Sequence, residues 1–483
     1  MVAEHESAVT TSSPTLDAAF VAAALGDLLL GRSGPDRDFA RAVIDSRQMQ
    51  PGDFFVALPG ETTDGHSFIP DAVDAGASGL LVARPTEGLD EESGPSQFVV
   101  ADPLAALQRI AIAWRVALPS TDVVGITGNV GKTTTKLITA AVLGVRYRVQ
   151  ASEQNYNNEI GVPLCLLETR PETERAVIEL GMYTTTEIAL LCEWTQPRIG
   201  VVLNVGPVHL ERAGSLETII AAKRELPEAL PADGHAILNA DDPDVLAMAS
   251  HTDARVWLFG AESAPAVNDS GPELAVRSGP VTSHGADGFE FELTASGRSR
   301  RLRVPLPGAH LVSNVLAAAT VGLADGMAFN AVCDAIEALD VPLRLSVRRI
   351  TGGVTLLDDT YNANPASMLA ALDLLSEMPG RHIALLGDMR ELGELTEQSH
   401  DRIGRRAAEV LDSLLTIGDL AVRITASART AGLDGARHLA SKEQATAALR
   451  AELREGDVLL VKGSRALELE TVVRALDEEE TAS

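Results

Sequence analysis

The sequence has 483 residues, of which 45% are hydrophobic and 22% are charged. This composition is typical of globular proteins and excludes a largely disordered chain, and the length suits about two to four domains. The formal net charge of −28 at pH 7 argues against nucleic acid or an anionic membrane surface as a partner.

Neither the cysteines nor the N-terminus indicates a secreted or membrane-inserted protein. The three cysteines, Cys165, Cys192 and Cys333, are far apart in the sequence, so we interpret them as buried or incidental thiols. The N-terminus has no basic region followed by an apolar one, and the apolar run Ala18–Leu30 is too short to cross a bilayer. We therefore expect a cytoplasmic protein without membrane insertion. Independently of these features, we expect a monomer.

Residues 1–14 are expected to form a loose tail, and residues 15–106 a small N-terminal α/β domain. The pattern predicts a helix at Leu16–Leu30 and then short apolar strands. A further helix is predicted at Pro103–Leu118, leading into the second domain.

Residues 107–341 form the predicted central domain. Short apolar runs alternate there with helical segments, at Val123–Ile126, Ala176–Leu180, Ile199–Leu203, Ala236–Leu238 and Val256–Phe259. This alternation predicts a largely parallel sheet with helices on both faces. Residues 261–304 are rich in Gly, Ser and Pro, and their alternating strands favour an antiparallel excursion.

Residues 342–483 form the third predicted domain. A new alternation of strands and helices begins near residue 342 and predicts a second doubly wound, Rossmann-like unit. The segment Asp340–Arg349 is the expected hinge before it.

The stretch Val123–Lys136, VVGITGNVGKTTTK, predicts a strand, a phosphate loop and a helix. Backbone amides and a helix N-terminus can hold phosphate oxygens there. Lys132 can reach the terminal phosphates, and the Thr133 hydroxyl can ligate a magnesium ion. Ile126 stands where the general motif has its first glycine, so an ordinary glycine-rich turn is the alternative interpretation.

Three further residues are candidates for a metal or phosphate site. Glu179 ends an apolar strand at the sheet edge where ligands bind, and a phosphate-loop enzyme needs a carboxylate near its metal. His209 follows another strand end and is either a ligand or a surface residue. Lys223 lies on a helical segment and, by itself, is interpreted as a surface lysine. For Glu179, the alternative to a metal ligand is a carboxylate at the end of the strand that faces solvent.

Two polar segments could bind a ligand or simply form turns. Residues 152–167 contain the side-chain amides of Gln154, Asn155, Asn157 and Asn158, which are donors and acceptors for a polar ligand. Residues 358–365, DDTYNANP, follow a predicted strand and enter a helix that begins with Asn364 as N-cap and Pro365 at its first position.

Together these segments resemble the Mur ligase family. The resemblance runs from about Asp45 to about Val473 and rests on GITGNVGKTTTK, NYNNEIGVPLCLL, ELGMYTTTEI, LNVGPVHLERAGS, AAKREL, LPGAHLVSNVLAAA, DDTYNANPASM, LLGDMRELGE and LVKGSRALELE. The Asn-rich block and DDTYNANP are most similar to the member that joins D-alanyl-D-alanine to UDP-N-acetylmuramoyl-tripeptide in peptidoglycan precursor synthesis.

The resemblance implies an α/β protein of three domains, namely a UDP-binding domain, an ATPase-like domain and a Rossmann-like domain. It also implies an ATP-dependent ligase. The tripeptide carboxylate becomes an acyl phosphate, which the dipeptide amine attacks to form an amide, with release of ADP and phosphate.

The resemblance also assigns site residues. The implied catalytic residues are Lys132, His209 and Lys223. The implied ATP contacts are Gly128, Asn129, Val130, Gly131, Lys132, Thr133, Thr134, Asn314 (at the adenine), Arg344 and Asp359. Two Mg²⁺ ions are implied, one at Thr133 and Glu179 and one at His209 and a carbamylated Lys223. The implied substrate contacts are Ser46, Arg47, Asn155, Asn157, Asn158, Asn362 and Asn364.

The sequence departs from the family pattern at Asn129, Leu137, Thr186 and Leu343, the last two standing where glycine is usual. None of these departures replaces an implied metal or phosphate ligand. Two alternatives stay open: a ligase of the same superfamily that adds a different amino acid, and a nucleotide-binding module without catalysis. The implied two-metal set favours an enzyme, because a binding module has no need of it.

Overall fold

The computed structural model of the chain describes residues 14–60, 63–152, 155–206, 214–261 and 274–477. Over these residues the strands form three sheets, of five, ten and six strands, with helices between them. The predicted α/β class is therefore confirmed. None of the helices in this part of the chain has both the length and the apolar character that crossing a bilayer requires.

The chain divides into two compact units. The first consists of Met1–Val124, Tyr147–Leu180 and Leu190–Pro197, and the second of Gly125–Arg146, Gly181–Ala189 and Arg198–Ser483.

The first unit contains the five-stranded sheet. Its strands are β1 (Leu29–Ser33), β2 (Ala42–Val43), β3 (Phe54–Val56), β4 (Gly79–Val82) and β5 (Ser96–Val100), in the order β1-β5-β4-β3-β2. Only β1 is antiparallel to its neighbour. The helices that lie wholly within the described part of this unit are α1 (Ala18–Leu25), α2 (Ile69–Asp74), α3 (Pro103–Ala117) and α5 (Gly161–Glu168).

The helix predicted at Leu16–Leu30 is wrong in its second half. The helix α1 ends at Leu25, because Gly26 has a φ of +51°. Residues Leu29–Ser33 then extend as β1, whose hydrogen bonds to β5 outweigh the helical propensity of a leucine-rich run.

Strands β6 to β15 belong to the ten-stranded sheet. The strand β6 (Asp122–Thr127) contributes residues 122–124 to the first unit and 125–127 to the second. In the first unit, β7 (Val149–Ala151) pairs in parallel with β8 (Arg175–Glu179).

In the second unit this sheet has the order β13-β14-β12-β11-β10-β9, with β15 beside β14. The strands are β9 (Pro197–Val202), β10 (His235–Asn239), β11 (Arg255–Ala261), β12 (Leu274–Ser278), β13 (Thr282–Ser283), β14 (Phe289–Ala295) and β15 (Arg298–Val304). From β9 to β12 the pairing is parallel, and β14 is antiparallel to its neighbours. The parallel sheet and the antiparallel excursion are confirmed, although residues 262–273 of the excursion lie outside the described residues.

The other helices of the central region are α4 (Lys132–Gly144), α6 (Glu187–Thr195), α7 (Leu216–Glu228), α8 (Pro243–Ala247), α9 (Val312–Ala324) and α10 (Phe329–Glu337).

The six-stranded sheet confirms the second predicted α/β alternation. Its strands are β16 (Ser346–Ile350), β17 (Val354–Asp359), β18 (His382–Gly387), β19 (Ser413–Ile417), β20 (Arg437–Leu439) and β21 (Val458–Lys462), in the order β16-β17-β21-β18-β19-β20. The helices are α11 (Pro365–Ser376), α12 (Thr396–Val410), α13 (Val422–Thr430), α14 (Lys442–Glu452) and α15 (Glu470–Asp477). Part of the segment predicted as a hinge forms β16, an antiparallel edge strand.

Both faces of this sheet are buried, which explains the continuous apolar runs in its sequence. Leu357, Leu386 and Leu460 belong to the core on one face, and Leu356, Leu385 and Leu459 to the core on the other. The strands β17 and β21 are parallel neighbours. Their carboxyl ends therefore bring Asp359 and Lys462 to the same edge.

Candidate active site

The phosphate loop, Gly128–Gly131, connects β6 to α4, which begins at Lys132. Gly131 has a φ of +89°, and a Cβ on it would lie 2.5 Å from Asn314 Nδ2. Gly128 has a φ of +154°, and a Cβ on it would lie 2.9 Å from Leu203 Cβ. Both positions therefore need glycine, for the backbone angle and for space. The predicted strand, loop and helix are confirmed.

The start of α4 carries two features that attract phosphate. The amides of its first turn have no carbonyl one turn earlier in the helix, and the positive end of the helix dipole lies there. The Lys132 Nζ donates a hydrogen bond of 2.7 Å to the Gly128 carbonyl, so its ammonium group lies against the loop. A polyanion at this position would meet a cation and a helix N-terminus together.

Two asparagine side chains tie the phosphate loop to the segment after β9. The Asn204 Oδ1 accepts hydrogen bonds from the amides of Asn129 (3.0 Å) and Val130 (2.9 Å), and its Nδ2 donates to the Val130 carbonyl (2.9 Å). In return, Asn129 Nδ2 donates to the Gly206 carbonyl (2.8 Å), and Asn129 Oδ1 accepts from the Gly206 amide (3.2 Å). The Asn129 and Val130 amides are thus bonded within the protein, and these contacts hold the shape of the loop.

Asn314 and Arg344 reach this loop from two other elements. Asn314, on α9, donates from Nδ2 to Thr135 Oγ1 (2.8 Å) and to the Gly131 carbonyl (3.2 Å). Arg344, just before β16, donates from Nη2 to Thr133 Oγ1 (2.7 Å). The structure therefore brings both residues to the loop, although their contacts with a nucleotide stay predictions.

Lys223 is buried in α7, with only 3% of the residue exposed. Burial lowers the pKa of its amine well below the ordinary lysine value, and the positive charge of Lys132 lowers it further. The interpretation of Lys223 as a solvated surface lysine is therefore wrong, because the helix turns this side chain inward. Burial and the neighbouring positive charge both favour the neutral amine, which is the nucleophilic form of lysine.

At the carboxyl edge of the six-stranded sheet, Lys462 holds the segment that follows β17. Its Nζ is paired with Asp359 in a buried ion pair and donates to the Asn362 carbonyl (2.9 Å). Asn364 caps α11, since its Oδ1 accepts from the Ser367 amide (2.9 Å) and Pro365 follows at the first helical position. The predicted cap is confirmed, and contacts of Asn362 and Asn364 with substrate stay predictions.

The other assigned residues of the described chain lie in the first unit. The Arg47 guanidinium is exposed and bonded to Asp45, which lowers the pKa of that carboxyl, and Ser46 precedes it on the same turn. The Asn158 Oδ1 accepts from the Gly161 amide (2.9 Å) at the start of α5. Asn155 and Asn157 are on the same turn segment, and the buried Glu179 ends β8. Their predicted roles are untested by these contacts.

His209 lies in 207–213, outside the described residues. Its assignment as a metal ligand therefore stays a prediction.

Sequence reasoning missed Asn204 and Tyr361 as parts of this site. The Arg344 guanidinium lies 3.9 Å from the centre of the Tyr361 ring. The signal for Asn204 was present, because it directly follows the apolar run Ile199–Leu203. No pattern in the sequence could have indicated the Tyr361 stack, because the strands β16 and β17 and the turn between them separate Arg344 from Tyr361.

Family models match most of the chain. The Mur ligase family catalytic domain matches residues 41–115, the Mur ligase middle domain residues 126–322, and the Mur ligase glutamate ligase domain residues 343–465.

Curated relatives and solved structures agree with these matches. The UDP-N-acetylmuramoyl-tripeptide–D-alanyl-D-alanine ligase of Escherichia coli is 38% identical over 95% of this chain and 98% of its own. The Mycobacterium tuberculosis ligase of the same name is 37% identical over 91% of this chain and 92% of its own. The crystal structure of MurF from Thermotoga maritima in complex with ADP has a TM-score of 0.74 and 28% identity, covering 92% of this chain and 98% of that one. One of MurF from Acinetobacter baumannii has a TM-score of 0.80 and 28% identity, covering 96% and 99%.

Proposed function

The chain belongs to the Mur ligase family, and from this premise we propose that it joins D-alanyl-D-alanine to UDP-N-acetylmuramoyl-tripeptide with cleavage of ATP to ADP and phosphate. The observation that carries the proposal is a preformed phosphate loop in a chain that matches ligases of this specificity over nearly its whole length. We place the reaction in the cytoplasm and propose that a single subunit carries it out.

The phosphate loop fits the nucleotide. The amides at the start of α4 and the Lys132 ammonium would meet the phosphates of ATP, and Arg344 would approach the same groups from beyond the loop. These groups neutralise the charge repulsion between the tripeptide carboxylate and the terminal phosphate. Asn314 would contact the adenine, and its present hydrogen bonds to the loop support a place beside the nucleotide.

The donors also fit magnesium, which prefers oxygen ligands and is usually held by one or two protein groups together with substrate phosphates. The Thr133 hydroxyl and the Glu179 carboxylate would hold one ion, which would neutralise charge developing on the phosphates. Among the described residues, no cluster of three or more His, Cys, Asp or Glu side chains is arranged to hold a metal. A site completed by substrate phosphates does not need such a cluster.

The environment of Lys223 supports our proposal that this lysine is carbamylated. A neutral amine attacks the carbon of CO₂, a nitrogen–carbon bond forms, and the amine loses a proton. Burial and the Lys132 charge both favour the neutral amine. The product is an anion, so the modification replaces repulsion by Lys132 with attraction. Together with His209, it would offer oxygen and nitrogen ligands to a second magnesium ion.

The proposed reaction has two steps. An oxygen of the tripeptide carboxylate attacks the terminal phosphorus of ATP, and the bond to ADP breaks. The dipeptide amine then attacks the acyl carbon, loses a proton, and displaces phosphate as the amide forms. Lys132 stabilises charge on the transferred group in the first step. Ser46, Arg47 and the Asn155–Asn158 segment would hold the UDP-linked substrate, and Asn362 and Asn364 would act at the C-terminal sheet edge.

An assay of ADP release over a panel of substrates tests the proposal. We expect release only when UDP-N-acetylmuramoyl-tripeptide and D-alanyl-D-alanine are both present. Equal release with glutamate in place of the dipeptide would identify a ligase of another specificity. Nucleotide binding without release under any combination of substrates would identify a binding module.

A further inference from the structure

The aromatic ring of Tyr361 supports the guanidinium of Arg344. The Arg344 Cζ lies 3.9 Å from the ring centre, and its Nη2 simultaneously donates to Thr133 Oγ1 at 2.7 Å. A guanidinium packed on a tyrosine ring is attracted by the negative face of the ring. One side chain thus joins Tyr361 to the phosphate loop.

The partners of Arg344 distinguish it from the other arginine near this ring. Arg465 lies 6.0 Å from the same ring centre and is paired with Glu470 at 2.6 Å. Arg344 has no ion pair with a carboxylate in the described part of the chain, and it is exposed. Its charge is therefore available to a phosphate group, whereas that of Arg465 is already neutralised.

The backbone on both sides of Tyr361 is fixed by hydrogen bonds. The Thr360 amide donates to Asp358 Oδ1 at 3.3 Å, and the Asn362 carbonyl accepts from the buried Lys462 at 2.9 Å. The cap of α11 follows at Asn364. These contacts hold the residues on both sides of Tyr361 and so restrict the backbone that carries the ring.

We propose that Tyr361 is a positioning residue, which holds the Arg344 guanidinium where it meets the terminal phosphate of ATP. The inference rests on the proposed function. An exposed arginine without such a surface samples many rotamers and must lose that freedom when it engages phosphate. The ring restricts it beforehand, and either its face or that of phenylalanine suffices for the contact.

The test compares Tyr361→Phe with Tyr361→Leu. Both changes remove the hydroxyl, but only the second removes the aromatic face. Tyr147→Leu is the matched control, because Arg175 packs on the Tyr147 ring at 4.0 Å in the first unit. Melting temperatures of all three variants identify any general loss of structure.

We expect Tyr361→Phe to retain wild-type kcat within about twofold, and Tyr361→Leu to lower kcat by about 5- to 30-fold with an unchanged KM for the UDP-linked substrate. Calorimetry gives a second measure that does not require turnover. The non-hydrolysable ATP analogue AMPPNP should lose affinity for Tyr361→Leu, whereas ADP, which lacks the terminal phosphate, should not. In an Arg344→Ala background, Tyr361→Leu should have no further effect.

Unchanged kcat and AMPPNP affinity in Tyr361→Leu would overturn the inference, as would an equal effect of this change in the Arg344→Ala background. Failure of the proposed function gives a different result. In that case the wild-type protein itself would not bind AMPPNP or ADP, or it would not release ADP.

Discussion

Glu225 accepts a hydrogen bond of 2.5 Å from the backbone amide of Thr186, a residue whose φ is +75°. The second oxygen of the same carboxylate accepts from the Ala189 amide at 2.9 Å, in the first turn of α6. A β-branched residue is rare at positive φ, where glycine is favoured. The carboxylate on α7 therefore stabilises a strained turn, two residues along the helix from Lys223.

We expect Thr186→Gly to stabilise the protein by about 0.5–1 kcal/mol, because glycine adopts this angle without the strain of a side chain. Ser296→Gly is the comparison variant. Ser296 also has a positive φ, of +50°, but it lies in the hairpin between β14 and β15, away from the Glu225 carboxylate. Urea denaturation measures both. A loss of stability in Thr186→Gly would show that the threonine side chain contributes more than its backbone angle costs.

The sequence predicted elements well where one pattern dominated. The helix predicted at Pro103–Leu118 runs from Pro103 to Ala117, and the predicted apolar strand Val123–Ile126 lies within β6, because periodicity and turn residues agree there. The helix predicted at Leu16–Leu30 was wrong in its second half, because the chain from Leu29 onward pairs with β5 as a strand. Thr186 shows a similar limit: family comparison indicated glycine, yet only the structure reveals that Glu225 supports the threonine.

The candidate site was predictable in part. Lys132 and Thr133 followed from the phosphate loop, whose local spacing fixes their geometry. The burial of Lys223 did not follow, because an isolated lysine on an amphipathic helix is usually exposed. The Asn129–Gly206 and Asn204–Val130 contacts join positions more than 70 residues apart. Such pairs depend on how two strand ends meet, which no local pattern encodes.

Replacing Lys132 should abolish most of the activity. We expect Lys132→Ala to lower kcat by about 100- to 1,000-fold, the range found when one group that stabilises transition-state charge is lost. Steady-state ADP release measures the change. Arg301→Ala, at an exposed arginine paired with Glu290 on the antiparallel excursion, is the control. Near-normal turnover of Lys132→Ala would contradict the assignment of the phosphate loop.

Activity should depend on CO₂ through Lys223. We expect the protein to lose activity in CO₂-depleted buffer and to regain it with bicarbonate, more completely at higher pH, because protonation of the amine prevents carbamate formation. Lys223→Ala should be nearly inactive and partly rescued by high concentrations of a short carboxylic acid. Full activity of Lys223→Ala would exclude the carbamate.

The same lysine should make stability depend on pH. In the folded state the Lys223 pKa is lowered, whereas in the unfolded chain it returns to about 10.4. Between these two values the unfolded state binds one more proton, so the free energy of unfolding rises with pH there. We expect Lys223→Met to remove a slope of up to about 1.4 kcal/mol per pH unit. Urea denaturation across this range in CO₂-free buffer measures it, and an unchanged slope would show that the amine remains charged when folded.

The asparagine contacts at the phosphate loop should matter for both stability and nucleotide binding. Asn204→Ala removes the bonds of its side chain to Asn129 and Val130, although the Asn129 amide keeps a bond of 3.2 Å to the Asn204 carbonyl. We expect a loss of about 1–3 kcal/mol, since partly buried polar groups of Val130 lose their partners. Asn129→Ser removes the two bonds to Gly206 and should cost about 1–2 kcal/mol.

Both variants should bind ADP more weakly in calorimetry, because the loop must then be ordered by the ligand. Asn330→Ser, at an exposed asparagine bonded to Arg298, should change neither quantity. If Asn204→Ala binds ADP as tightly as the wild-type protein, the start of α4 and Lys132 alone define the phosphate site, and the preformed shape of the loop makes no contribution to affinity.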